Sequence, residues 1–224
     1  MQRNAWEGAV KHYSSLFKKS TVQSCNEDIQ TMLRQAGDQA RSSMHKHAKS
    51  VVFESFKLLP PELNARSKAG QDAIATNAKF WRAEFRYLCG PYRTSNGNIR
   101  EDIKFTHPAI QQVIQRALFM SRPTGLAHRL LTPMVPYQAI ALASAAIRCV
   151  LDSWVTGVKK KTEFGGKVYQ ELYIDLRAEW LSMSRSNTTA RAKIIRGNIA
   201  DYGLSKCGAS GRGIDVEESP SSRI

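Results

Sequence analysis

From Tyr137 to Ile147 the chain runs YQAIALASAAI, eleven residues with no charge, flanked by Pro136 on one side and Gly157 a little beyond the other. Ile140, Ser144, Ile147, Leu151 and Trp154 recur at helical spacing, and Ala141, Ala143, Ala145 and Ala146 cover the other faces. A helix apolar on most sides must be surrounded by protein or by lipid. Lipid is the poorer fit. Eleven uncharged residues before Arg148 make roughly 17 Å of helix at 1.5 Å per residue, against a bilayer core of about 30 Å. The spacing therefore predicts a central core helix from Pro136 to Thr156, with small side chains that let neighbouring helices approach closely.

Other apolar stripes supply those neighbours. Ile110, Val113, Ile114, Ala117 and Leu118 follow His107-Pro108, with Thr106 as the expected N-cap and proline welcome in a first turn. Val168, Leu172, Leu176, Trp180 and Met183 mark a helix beginning after Gly165. Further helices are expected over 3–19, from Asn26 towards Phe56, over Gln71–Leu88 and over roughly 188–202, the last with Ile194, Ile195 and Ile199 and with Gly203 as its C-cap. Asn96-Gly97 is a turn signal whose flanks lack β alternation. The expected fold is an all-α, single-domain helical bundle of about six to seven helices. An N-terminal helix at the periphery (1–25) precedes the helical domain (26–204). The Gly/Ser-rich segment 205–224 reads as a disordered, flexible tail.

The formal net charge is +14, which favours an anionic partner. The excess is spread evenly, three or four charges in each of the first four fifty-residue blocks, and the longest basic run is Lys159-Lys160-Lys161. Folding alone can gather such charges onto one face. Lys79, Arg82 and Arg86 fall at i, i+3 and i+7 among Phe80, Trp81 and Phe85, a ridge able to neutralise phosphates beside a stacking aromatic. Arg41, His45 and Lys49 form a second ridge, and Arg191, Lys193 and Arg196 a third cluster. A solvated basic face beside the core explains each ridge as well.

Catalytic and metal signatures are missing from the sequence. The four cysteines, Cys25, Cys89, Cys149 and Cys207, lie far apart with no CxxC, so neither zinc nor any other cofactor is expected. His45-Lys46-His47 places two imidazoles at i and i+2, which diverge on a helix. His107 is expected to pack or cap. Glu171, Asp175 and Glu179 line one face, and salt bridges to Lys159–Lys161 or Arg177 are the expected offset. No GxSxG or GxxxxGK[ST] motif occurs. Isolated cysteines and an N-terminus without an apolar signal core fit an intracellular protein, nuclear or cytoplasmic.

The motifs HPAIQQVI–ALF, VPYQAIALASAAIRCVLDSWVTGVKKKTEF and YQELYIDL resemble a family of uncharacterised domains expanded in basidiomycete fungi. The shared positions are His107-Pro108, Ile110, Ile114, Leu118-Phe119, Pro136, Ile140-Ala141-Leu142, Ala146-Ile147, Leu151-Asp152, Trp154, Thr156-Gly157, Phe164, Tyr169, Tyr173 and Leu176. Arg148 and Ser153 stand where that pattern more often has acids. The resemblance covers 105–180 well and 27–204 more loosely. It implies an all-helical, intracellular, fungal protein, and it carries over no established activity. The leading expectation is a non-enzymatic binding or scaffold module whose basic residues meet nucleic acid or an acidic protein. A protein–protein assembly module, including self-association, and an enzyme of unknown type stay open.

Overall fold

Eleven of the eighteen residues of the helix Tyr137–Trp154 are buried, and this helix organises everything around it. The computed structural model describes residues 27–90, 103–120, 131, 133–185 and 189–206. Within them lie six α-helices and no strand: α1 Glu27–Ser55, α2 Lys68–Arg82, α3 Pro108–Ile114, α4 Tyr137–Trp154, α5 Lys167–Arg185 and α6 Thr189–Lys206. The fold is all-α. The expected helix over 3–19, the Asn96-Gly97 turn and the tail beyond Lys206 lie outside the described residues.

Contacts divide the chain into two units, residues 1–43 and 44–224. In the first, Arg41 on α1 is paired with Asp38 one turn earlier. The second holds the core. There α4 packs against α2, α3 and α5, while α6 packs against α3 and α5. The alanines of α4 bring these helices close. The buried Ser144 hydroxyl is satisfied by donating to the Ile140 carbonyl at 2.8 Å, which removes the desolvation cost of a polar group in the core. The chain just beyond α1 is fastened by two side chains of α2: the Trp81 indole N–H donates to the Phe56 carbonyl at 3.0 Å, and the Asn77 amide to the Leu58 carbonyl at 3.0 Å.

Local details depart from the expected pattern in four places. The cap of α3 is His107, whose Nδ1 accepts from the Ala109 N–H at 3.1 Å. Thr106 instead accepts from the Gly90 N–H at 3.0 Å. The helix expected over Gln71–Leu88 stops at Arg82 and continues as a 3-10 segment, Ala83–Leu88, with positive φ at Glu84 (51°) and Phe85 (60°). Such conformations cost roughly 1–2 kcal/mol per non-glycine residue; the kink turns Tyr87 and Leu88 fully inside, which offsets that cost. Gly203 does not end α6. It lies within the helix, where an added Cβ would meet the Phe119 ring at 2.6 Å, so its role is close packing. Val168 and Ile194 are exposed, while Leu176, Trp180, Ile195 and Ile199 carry the burial on α5 and α6.

Candidate anion-binding cleft

Gly157 ends the run of α4, and the chain doubles back along that helix. Its φ is 81°, and a Cβ there would lie 2.1 Å from the Gln71 carbonyl oxygen, so both the turn and the close approach require glycine. The returning segment is tied down by its backbone and one hydroxyl. Gly157 N–H donates to the Trp154 carbonyl at 2.9 Å and Lys160 N–H to the Ser153 carbonyl at 2.8 Å. The Thr162 hydroxyl lies 3.3 Å from the Cys149 carbonyl, to which it donates. Lys159 Nζ sits 5.7 Å from the Trp154 ring centre, within cation–π range.

This returning segment and α1 border an open cleft of about 300 Å³ lined by Lys49, Val150, Ser153, Lys159, Lys160, Lys161 and Thr162. All four lysines are exposed, and among the described residues no carboxylate lies within ion-pair distance of any of them. The Ser153 hydroxyl donates to the Val150 carbonyl at 2.6 Å. The donors free to meet a ligand are therefore the ammonium groups.

Behind the cleft, α4 carries a clasp around Asp152. One carboxylate oxygen lies 2.5 Å from Arg82 Nε and 3.1 Å from Arg148 Nε. The other accepts from the Tyr169 hydroxyl at 3.0 Å. Arg148 also donates to the Arg82 carbonyl at 3.2 Å, so the clasp fixes the end of α2 on α4. Burial, followed by the neighbouring Cys149 and Asp152, raises the Tyr169 pKa above the ordinary phenol value and keeps it a neutral donor.

Cys149 Sγ lies 3.7 Å from His45 Nε2, a pairing that invites a nucleophile reading. The electrostatics oppose it. Burial pushes the thiol pKa up. Burial, and then the charge of Lys49, pushes His45 down to about 4. A thiol held neutral beside an imidazole held neutral is the reverse of an activated thiolate. Among the described residues no His, Cys, Asp and Glu group is arranged to hold a metal ion.

The fold brings together Lys49 and Lys159–Lys161 out of the basic residues singled out by sequence. The others are placed differently. Lys79 is exposed on α2. Arg82 serves the clasp. Arg86, beyond the kink, pairs with Glu84 at 3.2 Å and lies 4.9 Å from the Phe80 ring centre, so Lys79, Arg82 and Arg86 do not form one ridge. Arg41 is paired with Asp38. Arg196 donates to the Val135 carbonyl at 2.7 Å; Arg191 is half-buried and Lys193 exposed. The acids of α5 also find other partners than expected: Glu171 pairs with Lys167 at 3.7 Å and Glu179 with Lys104 at 2.7 Å. Arg177 sits near the rings of Tyr137 and Tyr173 instead. Sequence reasoning missed Asp152 as the shared counter-ion. The Arg148–Asp152 half of that clasp was readable as an i, i+4 pair; Arg82, distant in sequence, was not.

A family model described as "Domain of unknown function (DUF6532)" matches residues 1–183. The chain belongs to this family. The DUF6532 match takes in the whole lysine cleft and the Asp152 clasp, and it contains the 105–180 stretch that carries the sequence resemblance. No curated protein and no solved structure matches the chain. None of the described helices of this DUF6532 domain is long and apolar enough to cross a membrane.

Proposed function

We propose that this DUF6532 domain is a non-enzymatic binding module that holds an anionic partner, nucleic acid or acidic protein, through the lysine cleft. One observation carries the reading: Lys49 on α1 and Lys159–Lys161 after α4 line a single cleft and are unpaired with any described carboxylate. Four like charges side by side repel one another, and an anion relieves that repulsion. The neutral Cys149–His45 pair supports binding over covalent chemistry. The sequence resemblance supports an intracellular, fungal setting for the module.

The experiment is fluorescence anisotropy with a labelled single-stranded oligonucleotide and a labelled poly-glutamate peptide, each titrated with protein across a salt series. If all four lysines neutralise phosphates, the log–log salt slope for the single strand is about −3. Lys160→Glu combined with Lys161→Glu weakens binding and flattens the slope. Undetectable binding of both probes at low salt would sink the proposal, as would binding that ignores the double substitution.

A further inference from the structure

The anion for which the cleft is built is, we infer, a small polyphosphate, a ligand bearing two or more phosphate groups close together. This rests on the anion-binding reading above and takes the phosphate group, carried by a small molecule in place of a macromolecule, as the recognised chemistry. Three features of the site select this class.

The first is size. A cleft of about 300 Å³ falls at the small end of sites that enclose small molecules. A nucleic-acid track needs a charged groove that continues, and among the described residues four arginines are already committed to partners. Arg82 and Arg148 are held by Asp152, Arg86 by Glu84 and Arg196 by a backbone carbonyl.

The second is the choice of cation. The lining contains lysines and no arginine. The guanidinium fork demands a fixed bidentate geometry from carboxylate or phosphate, whereas an ammonium is a compact point charge with three rotatable donors. Four such charges suit densely charged tetrahedral groups presented at several angles. The hydroxyls of Ser153 and Thr162 have their protons directed at backbone carbonyls, so they add no competing geometry.

The third is preorganisation. The lysine run is fixed to α4 at Lys160 N–H and at Thr162, and Gly157 sets its path. Neighbouring acids do not neutralise it. Asp152 is engaged by Arg82, Arg148 and Tyr169, and Glu163, exposed and next in sequence to Thr162, pairs with none of the four lysines. The backbone that carries three of the four lysines is thus set before binding, and the ordering left to be done is that of the exposed lysine side chains.

The test uses inorganic tripolyphosphate as the probe, with citrate as a carboxylate of comparable charge, both at one fixed ionic strength. Isothermal titration on the full chain gives the affinities, and thermal shift provides a second readout. Tripolyphosphate is expected to bind at least tenfold more tightly than citrate and to raise Tm. Lys49→Gln with Lys161→Gln is expected to cost at least tenfold in tripolyphosphate affinity, with Lys49→Arg retaining most of it. Tripolyphosphate should also displace a bound oligonucleotide. Equal binding of citrate, or affinity unchanged by the lysine substitutions, overturns the inference. An oligonucleotide that binds through the same lysines and is not displaced by tripolyphosphate overturns it while leaving the broader anion-binding reading standing. Failure of every anion to bind overturns both.

Discussion

Arg82 Nε and Arg148 Nε reach the same oxygen of Asp152, at 2.5 and 3.1 Å. One carboxylate thereby joins the last residue of α2 to the C-terminal part of α4, with Tyr169 of α5 on its other oxygen. Removing the carboxylate leaves two guanidiniums facing each other and a phenol without its acceptor. The Asp152 side chain is 20% exposed, so the loss falls between that of a surface pair and that of a fully buried one. Asp152→Ala is expected to cost about 2 kcal/mol in urea unfolding, and Tyr169→Phe about 1 kcal/mol. A double-mutant cycle should show coupling between them; strict additivity would mean that the hydroxyl stabilises something else.

His107 links acid stability to helix capping. It stacks on Phe56 with ring centres 4.1 Å apart and caps α3 through Nδ1, which requires an unprotonated nitrogen. Burial lowers its pKa to about 4. The unfolded chain takes up this proton near pH 6.5, the folded chain only near 4. Between those values the unfolded state holds more protons, so stability is full above about pH 6.5 and is lost as pH falls towards 4. His45, lowered to about 4 as well, adds a slope of the same sign. His107→Asn keeps a capping oxygen and removes the titration. Urea unfolding measured between pH 7 and 4 should show a shallower loss for this variant, and identical slopes would rule His107 out as a source.

The core helix was legible because its signal is local: uncharged, alanine-rich and bounded by Pro136 and Gly157, it dictates burial on nearly every side. The Lys159–Lys161 run was legible for the same reason. That Lys49 joins it was not, because their meeting depends on the path that Gly157 sets and on α1 lying alongside, neither of which is written as a periodicity. The basic ridge on α2 misled because Glu84 and Phe85 take positive φ without any glycine or asparagine to signal it; the burial of Tyr87 and Leu88 decides the matter. Gly203 misled in the opposite sense. Its position suggested a cap, and only the Phe119 ring on a different helix explains it.

Two glycines on α6 should therefore respond in opposite directions to alanine. Gly197 has nothing within 4 Å of an added Cβ, so Gly197→Ala gains helix propensity and is expected to stabilise by about 0.5–1 kcal/mol. At Gly203 the same gain is outweighed by a contact of 2.6 Å with a fully buried ring, and overpacking of this kind costs about 1–3 kcal/mol. Thermal denaturation of the two variants should bracket the parent Tm. A Gly203→Ala variant as stable as Gly197→Ala would show that Phe119 can swing aside at no cost.

Gly157 ties stability to binding. With φ at 81° and the Gln71 carbonyl oxygen 2.1 Å from any Cβ, Gly157→Ala suffers both strain in the left-handed region and a backbone clash that no rotamer relieves. The expected loss is about 2–3 kcal/mol. The segment carrying Lys159–Lys161 must move to accommodate the methyl group, which breaks the Lys160 N–H bond to Ser153 and pulls the lysines away from Lys49. Tripolyphosphate affinity is then expected to drop several-fold below 20 °C, where the variant is still folded by circular dichroism. Gly165→Ala, which meets nothing within 4 Å, is the matched control and should leave affinity unchanged. Weakened stability with undiminished affinity in Gly157→Ala would show that the lysines hold their places independently of the turn.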